Sequence, residues 1–352
     1  MVDLEAADLK PADLKPLVDL DALGAWMDEH HLESGPLLDV EPIAGGTQNV
    51  LLRFTRGGRE FVFRRPPPHK RKNSDEAMRR EARVLAALAG TDVPHPQLIA
   101  ACSDVETLGA TFYLMEPVDG FNATLELPEP HASDLAMQRA MGFGMADGLL
   151  ALAGVDPEER GIADLGKFDG WAERQVGRWR SQLESYSELD RYPGPDIPGV
   201  DDVGTWLDAH RPAGVQIGLM HGDFHFANVL IRRDAGTLAA IVDWELATIG
   251  DSLLDLGHLL ATWPVRDGNL TPIGVNAPGL PEPSELIEYY AHRTDRDLTD
   301  LTWYRVLACY RLGLILEGTH ARAFAGLAPV EVGTNLHAMT VYLFQQALEL
   351  IG

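Results

Sequence analysis

Asp223, Asn228 and Asp243 are the residues in this sequence whose types and spacing suit group-transfer chemistry. The first two lie in Met220-His221-Gly222-Asp223-Phe224-His225-Phe226-Ala227-Asn228-Val229-Leu230, and Asp243 follows fifteen residues later in Ile241-Val242-Asp243-Trp244-Glu245. Transfer of a phosphoryl group needs one carboxylate near the acceptor hydroxyl and hard oxygen ligands for Mg²⁺. Asp223 can serve as the first. Asn228 and Asp243 can serve as the second, from a loop and from the end of an apolar strand. A competing arrangement uses His221, Asp223 and His225, which alternate and on a strand would face one metal ion, as in a metallohydrolase. That arrangement leaves Asn228 without a role. His221 reads as a structural histidine that holds the loop. An aspartate beside a glycine is also ordinary turn chemistry.

These residues need elements to position them. Residues 1–18 suggest a loose arm and 19–32 a short amphipathic helix. Segments 50–55 and 60–64 are β-like, joined as a hairpin by Arg56-Gly57-Gly58-Arg59, and prolines 66–68 end the second strand. Ser74 fits a helix N-cap, with the helix running to about Ala89 and Val84, Leu85 and Leu88 on its apolar face. A further β-like run, 111–115, leads into Glu116-Pro117. From about residue 134 the pattern is helical, over 134–153, 168–188, 201–210, 251–262, 284–293, 299–325 and 331–350, interrupted by β-like runs at 216–220 and 238–243. The proline-rich stretch 264–283 reads as a long loop of the kind that often forms a lid. The expected division is 1–37 as arm and helix, 38–116 as a small β-rich lobe and 117–352 as a larger helical lobe, with a cleft between the lobes.

The pattern HGD-x-x-x-x-N followed by IVDWE resembles the aminoglycoside phosphotransferase and choline kinase superfamily, where it is the counterpart of the protein-kinase HRD and DFG segments. Residues 45–49 (GGTQN), 61–66 (FVFRRP), 113–120 (YLMEPVDG) and the tail from Asp243 to Asp255-Leu256-Gly257 narrow the likeness. They are similar to phosphotransferase domains found beside, or fused to, acyl-CoA dehydrogenases. The resemblance covers roughly residues 38–345. It implies a two-lobed, kinase-like α+β fold, with a small antiparallel-sheet N-lobe, a mainly helical C-lobe and Mg-ATP between them. GTP is the other candidate donor.

The implied roles follow residue by residue. Asp223 is the catalytic base, and Asn228 and Asp243 hold Mg²⁺. Gly45, Gly46, Thr47 and Asn49 form the loop over the nucleotide, although on its own this stretch reads as a turn. Arg64 stands where the protein-kinase strand carries lysine and contacts the phosphates, with Arg65 on the opposite strand face. Glu81, which shares a helix face with Val84, Leu85 and Leu88, fits the partner of Arg64 better than Glu76 does. Met115, Glu116 and Val118 form the hinge that meets adenine. Asp251 reads as a helix cap and Asp255 as an acceptor fixing the catalytic loop. A nucleotide-binding pseudokinase is the alternative from another class.

Composition narrows the partners. Of 352 residues, 29 are Lys or Arg and 53 are Asp or Glu, a net charge of −24 that disfavours nucleic acid and anionic membrane as general partners. Two cysteines, Cys102 and Cys309, make no disulfide framework, so a reducing, cytoplasmic setting is expected. No basic segment precedes an apolar run to suggest a signal peptide, and no apolar run approaches the roughly 18 residues of a membrane span. The expected partner is a small-molecule acceptor with a hydroxyl group, and the expected assembly is a monomer or homodimer. The acceptor itself is not legible. Asp and Glu at 282, 285, 288, 295, 297 and 300 suit either a polycation pocket or a solvated face. Trp303, Tyr304, Arg305, Tyr310 and Arg311 suit an anionic metabolite.

Overall fold

A computed structural model describes residues 18–43, 49–68, 73–264 and 273–352. The chain divides into two compact units. One runs to Asp119 and takes in Val242–Glu245. The other comprises Gly120–Ile241 and Leu246–Gly352.

The first unit is built on a five-stranded antiparallel sheet. Its order is β1 (Leu38–Pro42), β2 (Val50–Arg56), β3 (Arg59–Arg65), β5 (Phe112–Met115) and β4 (Leu98–Cys102). Arg56 pairs with Arg59 across Gly57-Gly58, and both glycines have positive φ, 58° and 83°. The expected hairpin turn needs such angles at both central positions. Helix α1 (Leu20–Glu29) starts at Asp19, whose carboxylate accepts from the Asp21 and Ala22 amides at 3.1 and 3.0 Å. Its Leu23, Trp26 and Met27 lie at helical spacing and are buried. They pack with Phe54, Phe61, Phe63 and Phe112 of the sheet, Trp26 meeting Phe112 edge-on at 4.8 Å. Arg56, only 2 % exposed, fixes this helix by donating to Gly24 O and Gly35 O at 3.0 Å and to Asp28 at 2.5 Å.

Helix α2 (Ser74–Leu88) buries Val84, Leu85 and Leu88 as its periodicity predicts. Each such side chain contributes about 1.5–3 kcal/mol. Ser74 is not the cap: it is already helical, and Asn73 before it makes no side-chain capping bond. Asp75 instead fixes this end, its Oδ1 accepting from the Thr111 amide at 3.0 Å.

The second unit is mainly helical. Its helices are α3 (Leu135–Ala153), α4 (Trp171–Ser185), α5 (Val200–Ala209), α6 (Leu253–Ala261), α7 (Pro283–Ala291), α8 (Leu301–Phe324) and α9 (Val330–Ile351). Two short ladders accompany them, β6 (Gly218–Met220) with β9 (Thr248–Gly250), and β7 (Val229–Ile231) with β8 (Leu238–Ile241). The sequence shows the runs behind β6 and β8 but not their three-residue partners. α8 and α9 pack closely where a Cβ on Gly333 would lie 2.5 Å from Ala323 Cβ, and one on Gly313 2.8 Å from Phe344. No helix among the described residues is long and apolar enough to cross a membrane.

Candidate active site

β6 delivers the chain into the turn His221-Gly222-Asp223. Gly222 has φ 83°, and a Cβ there would stand 2.6 Å from Leu246 O, so both conformation and space call for glycine. Asp255 on α6 holds this turn by its main chain. Its Oδ2 accepts from His221 N at 2.7 Å and its Oδ1 from Gly222 N at 2.8 Å. This is the loop-fixing role expected for it. Asp255 is 1 % exposed, and burial pushes its pKa up to about 6 against the opposing pull of those two amides. His221 is fully buried, and its Nδ1 accepts from Asp223 N at 3.2 Å. Asp251 is more than a cap. Its Oδ1 accepts from Leu253 N at 3.1 Å, while its Oδ2 accepts from Gln216 N, Tyr304 Oη and Arg296 at 3.0, 2.6 and 2.6 Å. Asp255→Ala would orphan two buried N–H groups, each worth about 1–3 kcal/mol. Urea unfolding is expected to show a loss of that order, together with loss of activity.

Asp223 and Asn228 come together as expected. Asn228 Nδ2 donates to both Asp223 O and Asp223 Oδ2 at 2.9 Å, which leaves Asn228 Oδ1 as its remaining ligand atom. Two imidazoles flank the carboxylate. His258 Nε2 lies 3.2 Å from Oδ1 and His225 Nε2 3.4 Å from Oδ2. Burial works to raise the Asp223 pKa, but the contacts from His225 and His258 outweigh it and hold the carboxyl well below the usual range. The two imidazoles thus favour the carboxylate form of Asp223 over the acid. His258 was not anticipated. Its one sequence signal is a lone imidazole in the apolar run Leu256-Gly257-His258-Leu259-Leu260, one turn beyond Asp255. It also corrects the metal alternative. At this loop the donor atoms that lie within 4.8 Å of one another belong to Asp223, His225 and His258; a second such group, Glu317, His320 and His337, lies on α8 and α9. His221 is not among them, because residues 221–225 form a turn rather than a strand.

In the first unit, Arg64, Glu81 and Asp243 meet. Glu81 Oε2 accepts from Arg64 Nε at 3.1 Å and Glu81 Oε1 from Trp244 N at 3.1 Å, while Arg64 Nη2 donates to Asp243 Oδ1 at 2.5 Å. The choice of Glu81 over Glu76 agrees with this geometry, since Glu76 is exposed and pairs with Arg79. Burial raises the Glu81 pKa and works to lower that of Arg64. For Arg64 the carboxylates of Glu81 and Asp243 more than compensate, so its pKa is raised. Asp243 sits at φ 65°, in the left-handed region, which short polar residues tolerate best. Arg65 is turned away to Leu108 O and Pro66 O, and like Arg64 it is buried, not a surface residue.

The nucleotide-side expectations fare unevenly. Gly45, Gly46 and Thr47 lie outside the described residues, and Asn49 directly precedes β2. Met115 is in the sheet, opposite Val62 and Leu98. Glu116 N donates to Gln97 O at 2.9 Å and its carboxylate meets Arg59 at 3.0 Å, so the Glu116 amide is not available to a ligand. Val118 is half-buried and follows Pro117.

Several acidic residues grouped as a possible polycation pocket have local tasks. Glu282 and Glu285 form the capping box of α7, Glu285 also pairs with Arg139, and Asp297 caps Thr299. Of the expected lid, 265–272 lie outside the described residues. Gly274–Pro278 help to line a cavity of about 850 Å³ with Leu125, Trp263 and Pro281, and Trp263 packs on Phe226 at 5.4 Å.

A family model described as "Phosphotransferase enzyme family" matches residues 39–307. The chain belongs to that family. Among curated relatives of this phosphotransferase-family chain, mouse acyl-CoA dehydrogenase family member 11 is 28 % identical over 322 residues, which cover 88 % of this chain and 40 % of that protein. Mouse family member 10 is 26 % identical over 294 residues, covering 80 % and 26 %. The chain thus spans well under half the length of these relatives. A crystal structure of a candidate aminoglycoside phosphotransferase from Ralstonia eutropha is 29 % identical, with a TM-score of 0.77 over 94 % of this chain and 99 % of that one. Aminoglycoside phosphotransferase APH(4)-Ia, in a ternary complex with AMP-PNP and hygromycin B, shares the fold at 17 % identity and a TM-score of 0.58, covering 91 % and 97 %. The fold is the kinase-like one of the aminoglycoside phosphotransferases.

Proposed function

We propose that this phosphotransferase moves the γ-phosphate of ATP, or of GTP, to a hydroxyl of a small molecule. The observation that carries the reading is the Asp223 carboxylate, fixed by Asn228 on a loop that Asp255 clamps. Asp223 orients the acceptor hydroxyl and takes its proton as the oxygen attacks phosphorus. Asn228 Oδ1 and Asp243 are hard oxygen donors that suit Mg²⁺. When bound, the ion neutralises charge on the phosphates. Arg64, positioned by Glu81, contacts the phosphates, and the loop around Gly45, Gly46, Thr47 and Asn49 covers them, with Met115 to Val118 beside the base. Positioning and charge stabilisation supply most of the acceleration. The AMP-PNP and hygromycin B of the APH(4)-Ia complex support a nucleotide donor and a small-molecule acceptor.

A mutation at Arg64 tests the nucleotide side. Arg64→Ala leaves buried Glu81 without its ion-pair partner, a loss of about 3–5 kcal/mol, and should also weaken Mg-ATP binding. Arg64→Lys keeps the charge without the fork and should retain part of both. Calorimetric titration with Mg-ATP and thermal unfolding read the two effects separately.

The reading as a whole is tested by ATP turnover against aminoglycosides, choline-like amines, sugars and hydroxyacyl-CoA compounds. Kanamycin-like compounds are expected to be poor acceptors, with kcat/KM below ~10⁴ M⁻¹s⁻¹. Binding of Mg-ATP without turnover of any acceptor would favour the pseudokinase. One geometric fact keeps a metal-dependent reading in play, the convergence of Asp223, His225 and His258. Metal analysis discriminates it, because firmly held Zn²⁺ is not expected of a kinase.

A further inference from the structure

We propose that Glu317, His320 and His337 form a binding site for a divalent transition-metal ion, Zn²⁺ by its donor set, which pins α9 to α8. The site shares no residue with the proposed phosphotransfer site and stands without that reading.

Glu317 and His320 lie three residues apart on α8, so the helix carries a carboxylate and an imidazole on one face. Helical bundles ligate metal ions through this Glu-x-x-His spacing. His337 comes from the neighbouring helix α9. Each of the three offers a donor atom within 4.8 Å of those of the other two. Donors around a tetrahedral Zn²⁺ stand about 3.3 Å apart, given metal–ligand bonds of about 2.0–2.1 Å. Rotation of the two half-buried imidazoles about their side-chain torsions supplies the closing movement.

Glu317 is fully buried, and among the described residues no lysine or arginine stands within 4.0 Å of its carboxylate. Tyr192, from the segment between α4 and α5, donates to Oε1 at 2.6 Å, and His337 Nδ1 lies 2.7 Å from Oε2. A buried carboxylate ordinarily has a counterion, and an imidazole is one only when protonated. The rings of His320 and His337 are stacked, centroids 4.3 Å apart and planes at 21°, an arrangement in which two imidazolium charges repel. A divalent ion supplies the missing charge without that repulsion. His320 Nδ1 lies 3.1 Å from Gly333 O. A carbonyl only accepts, so Nδ1 carries the proton and the neutral ring keeps its lone pair on Nε2. A ligating histidine is supported in this way, its other N–H held by a carbonyl. Tyr192 gives the carboxylate the same support. The ion enters between Glu317 Oε2 and His337 Nδ1 in place of the proton they share, which passes to His337 Nε2 or to water. Two imidazole nitrogens and one carboxylate oxygen suit Zn²⁺ and leave a position for water. Mg²⁺ and Ca²⁺ instead prefer shells made of oxygen.

Calorimetric titration of the untagged full chain with Zn²⁺, after removal of metal by a chelator, tests the site. The wild type should bind Zn²⁺ in the presence of excess Mg²⁺. Its melting temperature should rise when loaded, because an ion that binds only the folded chain stabilises it. His320→Ala leaves the Glu317–His337 pair in place, so without Zn²⁺ it should melt cooperatively near the wild-type temperature. It should nevertheless bind the ion at least tenfold more weakly and lose the rise in melting temperature. His337→Ala should show the same loss of binding. Zn²⁺ that these variants release belongs to α8 and α9. A wild type that binds no Zn²⁺ overturns the proposal, and so does binding that both variants retain in full, which assigns the ion to other residues.

Discussion

Asp223→Asn should bind Mg-ATP almost as the wild type does and lose phosphoryl transfer by ~10²–10⁴-fold, the range for removal of a general base. The surroundings allow the swap. The asparagine oxygen can still accept from Asn228 Nδ2, and its amide can face the ring of His258. The change therefore removes proton-accepting capacity while largely keeping shape. Calorimetric Mg-ATP titration and single-turnover transfer should separate the two effects, provided that the variant melts cooperatively near the wild-type temperature. Full transfer activity in this variant would remove the mechanism altogether.

Asp243 should behave in the opposite way. Asp243→Ala is expected to weaken Mg²⁺-dependent nucleotide binding as well as turnover, with raised Mg²⁺ restoring part of the binding. Two further consequences come from its setting. The residue occupies a left-handed conformation, so alanine adds strain of about 1 kcal/mol. Its loss also frees Arg64 from one of its two carboxylate partners. Asp243→Asn is the cleaner variant, because asparagine accepts that backbone and lacks only the charge. A nucleotide titration at several Mg²⁺ concentrations should show both variants shifted and Asp223→Asn unshifted. If Asp223→Asn abolishes binding while Asp243→Ala spares it, the two roles are reversed.

What could be read from the sequence was what depends on short-range pattern. Asp223 and Asn228 are five residues apart on one loop, and their contact needs little beyond that loop. Glu81 announced itself by sharing helical spacing with Val84, Leu85 and Leu88, so its inward direction followed from periodicity. Asp255 was legible through the tail it shares with its family. What was missed depends on distant chain. Ser74 has the right side chain for a cap, yet it is already the first helical residue, with Asn73 at the cap position and Asp75 bound to Thr111. The Glu116 amide is taken by Gln97, a pairing that extends the β4–β5 ladder and that no local pattern encodes. His258 looks like one imidazole in an apolar helix until α6 and the loop are in place. Arg65 was expected on the far strand face, but its burial against Leu108 O depends on a loop more than forty residues away.

The clamp on the His221-Gly222-Asp223 turn bears on how chains of this family can be recombined. Asp255 grips His221 and Gly222 through their amides, from 34 and 33 residues downstream. The grip does not read the side chains at those two positions, but it does require both stretches to come from parents whose backbones agree. A crossover between residues 223 and 255 separates the turn from its clamp and His258 from Asp223. A chimera library for this family therefore keeps 218–258 as one inherited block and places its junctions outside it.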